Sequence, residues 1–407
     1  MAVNVSKPEI NIREKLTELD KPTGAAGNAM LRANSVHDQQ DLLGVGARNM
    51  IYNGDFQVWQ RGTSFSTSVS NVFTADRWKV VQGDNFNYDA TITRSTSAPD
   101  GYKYSLLVTT DTAQSVATGQ NGGISQALEG FDVEQLGWGS SAAKDVTISF
   151  WVRSNATGLY ALQLYVNRGG TTRAAYVVSY EIETSNKWEE KTIVIKGNSV
   201  RPFDAGDTGE CLGIYFWHVG GSADVVSEEK WNDNTALFTS VTAHRNLFSD
   251  AGNTWQLAGV RMVVGSFPDG APRITRPYGE ELALCQRYYW QTQSYLGGDY
   301  AYDQIGQGFV RTTNTDDSPI TIQAPFPVPM RVRPAIGPST TDGAVNFVAQ
   351  VGNTGATIDT IVGTWQSGVR MAWLDFDLVS NPFSVGQAVS VYCNGGSYTD
   401  IQFDAEL

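Results

Sequence analysis

Little in this sequence suits redox, metal or acid–base chemistry. The 407 residues contain three cysteines and three histidines. Cys211, Cys285 and Cys393 lie far apart, their number is odd, and no CxxC pair occurs. Neither a disulfide ladder nor a thiolate metal site is implied. We read them as buried, reduced thiols of a chain made in a reducing cytosol. His37, His218 and His244 stand at no metal-ligand spacing, and HExxH, GxSxG and GxxxxGK[ST] are all missing. No cofactor and no metal is expected. Positive charge is scarce as well: 29 Lys and Arg face 42 Asp and Glu, a formal charge of −13. That balance disfavours a nucleic-acid partner, which needs a basic face, and an anionic membrane surface. No apolar run approaches the roughly 20 residues of a membrane span, so no membrane insertion is expected. The opening MAVNVSKPEINIREKL lacks a basic stretch followed by an apolar one, and no export signal is visible in it.

What is present reads as β-structure. Gly numbers 41, aromatics are 11% and hydrophobic residues 41%, enough for a sizeable core built from short strands and tight turns. From Val146 to Arg153 apolar residues alternate, with Val146, Ile148, Phe150 and Val152 on one face. Runs at 160–166, 175–180, 191–195, 212–217 and 257–264 follow, separated by turn-rich segments. Further strand-like runs occur at 306–311, 320–322, 345–348, 368–373 and 389–392. Short strands at near-regular spacing predict an all-β fold of two β-sandwich, jelly-roll-like domains. Pro272, Pro277 and Gly279 punctuate a boundary, and Glu280–Tyr289 reads as a short helix or an entry strand. The expected division is 1–48, 49–280 and a smaller 281–407.

Residues 1–48 differ from the rest. Ser6-Lys7-Pro8-Glu9 has the form of a helix start. Ile12, Leu16 and Leu19 then make one narrow apolar stripe. A helix of about twelve residues is marginal alone in water, so the stripe needs a socket, either copies of itself or another protein. The Gly-, Ala- and Asn-rich stretch after it reads as an extended arm.

Catalytic candidates are weak. Asp299 with Asp303, or Glu228 with Glu229, could serve as a glycosidase pair, but their spacing is that of solvated surface charges. The oxygen-rich run Asp84-Asn85-Phe86-Asn87-Tyr88-Asp89 lacks EF-hand spacing and reads as a turn. No repeat of the kind a polysaccharide-degrading β-helix carries is found. The chain is expected not to be an enzyme. Aromatic rings offer another kind of site, because the C–H face of a pyranose is apolar and stacks on them. Trp151 and Trp217 fall within strands, with one side buried and the other exposed. Trp138, Trp231 and Trp290 sit in turn-like sequence and are the candidates for exposure and glycan contact, although packing is the commoner fate of such rings.

The most specific sequence is Asn53-Gly54-Asp55-Phe56-Gln57-Val58-Trp59-Gln60-Arg61-Gly62-Thr63-Ser64, followed by Thr74-Ala75-Asp76-Arg77-Trp78. With Arg276–Tyr289 (RPYGEELALCQRYY) and Phe326–Arg331 (FPVPMR), it resembles a family of bacteriophage tail-fibre and virion structural proteins across residues 49–335. The resemblance implies a jelly roll like that of carbohydrate-binding modules, usually in a trimeric appendage, and supplies no catalytic residue. Residues 1–48 would then be the virion anchor and the C-terminal domain the exposed end. The expected protein is a tail fibre that binds a bacterial surface glycan or receptor as a homotrimer. A capsid-decorating or head-fibre protein is the alternative. Within the motif, Asn53-Gly54 signals a turn, and Phe56 and Val58 suit a first strand. Arg61 and Asp76-Arg77 would form an ion-paired corner that fixes the neighbouring rings.

Overall fold

The computed structural model describes residues 48–167, 173–203, 206, 208–232, 239–292, 304–315, 319–338, 347–363, 367–393 and 401–407. The stripe of Ile12, Leu16 and Leu19, with its arm, lies outside the described residues, as do Asp299, Asp303 and His37.

Five strands come first: β1 (Ser64–Thr67), β2 (Lys79–Gly83), β3 (Ala90–Ser95), β4 (Ser105–Thr110) and β5 (Asn121–Glu129). A single helical turn follows, α1 (Gly130–Val133), continued by a 3-10 turn over Glu134–Leu136. Then come β6 (Val146–Ser154), β7 (Gly158–Val166), β8 (Ala174–Ile182), β9 (Glu189–Ile195), β10 (Glu210–Gly220), β11 (Trp231–Asn232) and β12 (Thr254–Val264). They form two six-stranded sheets, β1-β3-β4-β12-β6-β9 and β11-β8-β7-β10-β5-β2. Every pairing within them is antiparallel. The larger unit is a β-sandwich. Val146, Ile148, Phe150 and Val152 fill its core, fully buried, while Trp151 and Arg153 on the other face of β6 are half-buried.

The second sheet departs from simple alternation. Its core face carries Leu162, Leu164, Ile214 and Phe216, but its outer face is closed too. Val81, Ala161, Tyr165, Ala175, Val177, Tyr215 and Trp217 form a separate apolar layer there, against which Val241 and Val226 of the β10–β12 connection pack. Trp217 is 2% exposed, so the expected half-exposed strand position is buried on both sides. A strand covered on both faces reads as a near-continuous apolar run, which is what β7 and β10 show.

Helix α2 (Tyr278–Gln286) leads into β13 (Tyr289–Gln291), so the Glu280–Tyr289 stretch is helix first and strand afterwards. The rest comprises β14 (Gln304–Val310), β15 (Ile320–Pro325), β16 (Ala335–Pro338), β17 (Phe347–Val351), β18 (Thr354–Gly363), β19 (Met371–Leu378), β20 (Ala388–Cys393) and β21 (Ile401–Asp404). Six of these close on themselves in the order β14-β15-β19-β18-β17-β20, and β13-β21-β16 make a small sheet beside them. The smaller unit is thus all-β with its strands joined into a barrel, which removes the free edges an open sheet would present. Its core includes Ile320, Ile322, Leu374, Phe376, Val391 and Phe403.

The motif opening at Asn53 is no strand. Asn53 and Phe56 both adopt positive φ, 50° and 52°, which breaks the pleat. The Asn53 side chain replaces ladder bonds: its amide donates to the Val58 and Asp76 carbonyls and its oxygen accepts from Val58 N. Phe56, Val58 and Trp78 are nonetheless core residues. Gly54 lets this segment lie on β12, because a Cβ there would sit 2.2 Å from the Val260 carbonyl oxygen.

Candidate functional site

Two places concentrate aromatic rings and charge. The first is where the motif blocks meet. Arg77 is fully buried, with its guanidinium 3.4 Å from the Tyr288 ring centroid, an ion pair to Glu406 and a 2.6 Å hydrogen bond to the Ala127 carbonyl. Arg61 lies 3.5 Å from the Tyr289 ring centroid and pairs with Asp404 and Glu406 at 3.2 and 3.3 Å. Arg287 holds Glu129 through two bonds of 2.8 and 2.9 Å, and the Tyr288 hydroxyl donates to the same carboxylate. Gln60 donates to Asp76 and to the Tyr289 carbonyl. Arg331 donates to the Ala405, Thr208 and Glu406 carbonyls.

Burial works against the charge on Arg77, but the facing Glu406 outweighs it and raises the guanidinium above its ordinary range. Burial pushes the Asp76 carboxyl up, with Arg61 and Gln60 pulling the other way. The thiol of Cys285 is raised by the same burial, which leaves little nucleophilic thiolate. The expected ion-paired corner is real, but its partners come from residues 281–289 and 404–406, far along the chain. Each charge in it is answered among the described residues, so it joins the sandwich to α2 and to the small sheet beside the barrel.

The second place is a corner of the sandwich beside α1. Gly137 takes a left-handed turn (φ 59°), and the chain folds Trp138 inward so that its Nε1 donates to the Lys144 carbonyl at 2.9 Å. Trp138 is 5% exposed, which corrects the expectation of an exposed ring: its indole N–H is satisfied inside its own turn. Phe203 stacks on Trp138 at 5.5 Å and 22°, and Trp231 meets it edge-on at 5.0 Å. Trp231 also contacts Tyr176 at 5.4 Å, and its Nε1 donates to the Lys196 carbonyl at 2.8 Å. Two of the three tryptophans singled out by sequence are therefore in contact. The third, Trp290, stacks on Phe403 at 5.1 Å and meets Phe326 at 5.9 Å, as part of the smaller unit's packing.

The β9–β10 connection is pinned over this corner. Gly139 N donates to the Asn198 carbonyl at 2.7 Å and Asn167 Nδ2 to the Pro202 carbonyl at 2.7 Å. A Cβ on Gly139 (φ 81°) would lie 2.5 Å from the Pro202 backbone, so glycine alone permits the approach. The result is a pocket of about 300 Å³ lined by Gly130, Glu134, Gly137, Trp138, Pro202, Phe203, Gly206 and Cys211. That volume is at the small end for ligand pockets. Phe203 and Trp231 are both half-buried, and of the two rings that line the pocket Phe203, rather than Trp138, remains open to solvent. Phe203, Pro202 and Glu134 were not singled out by sequence. The available signal was an aromatic residue after proline in a Gly- and Asp-rich connection.

Other candidates resolve differently. Glu228 accepts a 2.9 Å bond from Ser179 N, and Glu229 is an exposed residue at φ 59°. Neither arrangement sets two carboxyls across a cleft. Asp84 and Asn85 are left-handed turn residues, and among the described residues no group of three metal-ligating side chains occurs. Ser240 Oγ lies 3.3 Å from His244 Nδ1, but the serine is 1% exposed, its hydroxyl donates to the Gly220 carbonyl, and His244 Nε2 faces the Trp217 carbonyl at 3.1 Å. A substrate has no access to that pair. Cys211 and Cys285 are buried free thiols, as expected.

No protein-family model and no curated protein matches this sequence. Among solved structures, the enzymatically active domain of tailspike protein 4 from bacteriophage CBA120 is similar at 13% identity and TM-score 0.31, over 53% of this chain and 21% of that one. This chain therefore spans about a fifth of the length of that solved domain. The family 11 carbohydrate-binding module of a Clostridium thermocellum cellulase aligns at 12% identity and TM-score 0.26, over 50% and 95% of the two chains. A putative sugar-binding protein from Bacteroides thetaiotaomicron aligns at 10% identity and TM-score 0.29, over 53% and 100%. Likenesses this distant carry no conclusion about what this chain binds.

Proposed function

We propose that the chain is a non-enzymatic structural protein of a bacteriophage tail appendage that contacts a glycan of the bacterial surface through the corner around Phe203. In this reading residues 1–48 dock it to other virion proteins and it works as a homotrimer. The observation that carries glycan contact is the open pocket whose wall is an aromatic pair, Trp138 and Phe203, backed by Trp231. Such rings offer the apolar face of a sugar a flat partner, while the nearby carboxylate and backbone groups receive its hydroxyls. Support for the appendage comes from the motif blocks, which resemble virion proteins and tie sandwich and barrel together through buried ion pairs.

The test combines two measurements on the full chain. Light scattering should give three copies per particle, and the purified protein should adsorb to host cells and block phage adsorption. A Phe203→Ala protein that adsorbs as well as the parent would defeat the corner as the contact. Labelled protein found on the capsid lattice instead of the tail would make this a decoration or head-fibre protein.

A further inference from the structure

The same pocket has a charge signature that selects among sugars. Of its described lining residues, the only charged side chain is Glu134, which is exposed and makes no ion pair or side-chain hydrogen bond among the described residues. Of the cations on adjoining segments, Arg48 pairs with Asp132 at 2.6 Å, Lys196 with Asp145 at 2.7 Å and Arg287 with Glu129 at 2.8 Å, and the exposed Lys144 lies outside the lining. Cys211 turns its Sγ toward the Gly206 carbonyl at 3.5 Å and adds no charge. The rest of the lining is glycine, proline and ring.

A ligand seated against Phe203 therefore meets one charged side chain of the described lining, and that side chain is anionic. Hydroxyl or ammonium groups can donate to it, whereas a sugar carboxylate would face like charge with no cation of the lining to offset it. The geometry points to a pocket that admits one non-acidic sugar ring, with its apolar C–H face on Phe203 and its donors toward Glu134, and rejects sugars that bear a carboxylate. This rests on the glycan reading of the corner.

The experiment titrates the full-length protein with galactose, galactosamine and galacturonic acid, read by tryptophan fluorescence and repeated with Glu134→Gln and Phe203→Ala. Galactose and galactosamine are expected to bind, with the uronic acid at least about 10-fold weaker, since hydrogen bonds to charged groups are among the stronger ones. Glu134→Gln lies on the surface, so the fold is retained, and it should bring the acid to within about 3-fold of galactose. Equal binding of acid and parent sugar by the unaltered protein overturns the charge rule while leaving the corner as a glycan site. Binding of all three unaffected by Phe203→Ala, or no binding at all, removes the glycan reading and the rule with it.

Discussion

At the joint, Arg77 lies against Tyr288 and pairs with Glu406, and both side chains are sealed, 0% and 3% exposed. At the corner, Phe203 lies against Trp138, and Glu134 stands in solvent with no side-chain partner among the described residues. Both places are built from rings beside charge. In the first every charge is answered from within the chain, and the sum of the contacts is mechanical. In the second one ring is half-buried and one carboxylate has no partner among the described residues, which is the condition for answering them with something else. Aromatic residues near charges thus have no single meaning. What decides is whether the polar partners are already supplied.

The difference can be broken most sharply at the joint. Glu406→Ala leaves the Arg77 guanidinium buried without its counter-charge, and such a loss costs about 3–5 kcal/mol. The urea midpoint should fall accordingly while glycan binding at the corner persists in the folded protein. A loss below about 1 kcal/mol would mean that water reaches the joint and screens Arg77.

Acid offers a second comparison, because it tests buried neutral groups that neither place contains. His218 is fully buried against Trp255 with its Nδ1 at 2.6 Å from the Tyr88 hydroxyl, and burial lowers its pKa from 6.5 to about 3. His244, likewise lowered by burial, falls to about 4. Above pH 6.5 both rings are neutral whether the chain is folded or not, and no dependence arises. Below it the unfolded chain takes up protons that the folded one refuses. Stability should therefore fall by about 1.4 kcal/mol per pH unit for each ring, from about pH 6.5 down to about 3 for His218 and about 4 for His244. Urea titrations at pH 7 and pH 4.5 measure the slope. Replacing His218 with Gln should flatten it, and an unchanged slope would rule His218 out as the source.

Smaller effects belong to the corner. Gly139→Ala forces a Cβ against Pro202 in a left-handed turn and should cost about 1–3 kcal/mol, with glycan binding lost as the pocket opens. Phe203→Ala should cost only about 0.5–1.5 kcal/mol, the worth of one aromatic pair, yet abolish glycan binding. If it destabilised as much as Glu406→Ala, the corner would be core and the contrast with the joint would vanish.

The strands were legible where one face is buried. Val146 to Val152 alternate in sequence and in structure, and the strand runs of both units lie near where alternation put them. Legibility failed for three physical reasons. Phe56 and Val58 are apolar enough for a strand, but positive φ at Asn53 and Phe56 makes a turn that only the Asn53 side chain reveals. Trp138 sits in turn-like sequence, yet a backbone carbonyl within that turn satisfies its N–H and draws it inside. The partner of Arg77 is 329 residues away, and no local pattern connects Arg77 with Glu406. The corner's half-buried ring, Phe203, is set by a pinned connection rather than by periodicity, which is why tryptophans drew attention first.

The segment 404–407 that answers Arg61, Arg77 and Lys79 also has a consequence in time. Those cations leave the ribosome some 330 residues before their partners. At ~5–20 residues per second the interval is on the order of 20–60 s. Through that interval the sandwich can pair its strands but cannot neutralise Arg77, and a chain interrupted before Glu406 never will. The joint thus closes only after residues 404–407 have been made, and fragments that lack them keep an unstable seam that proteases can find.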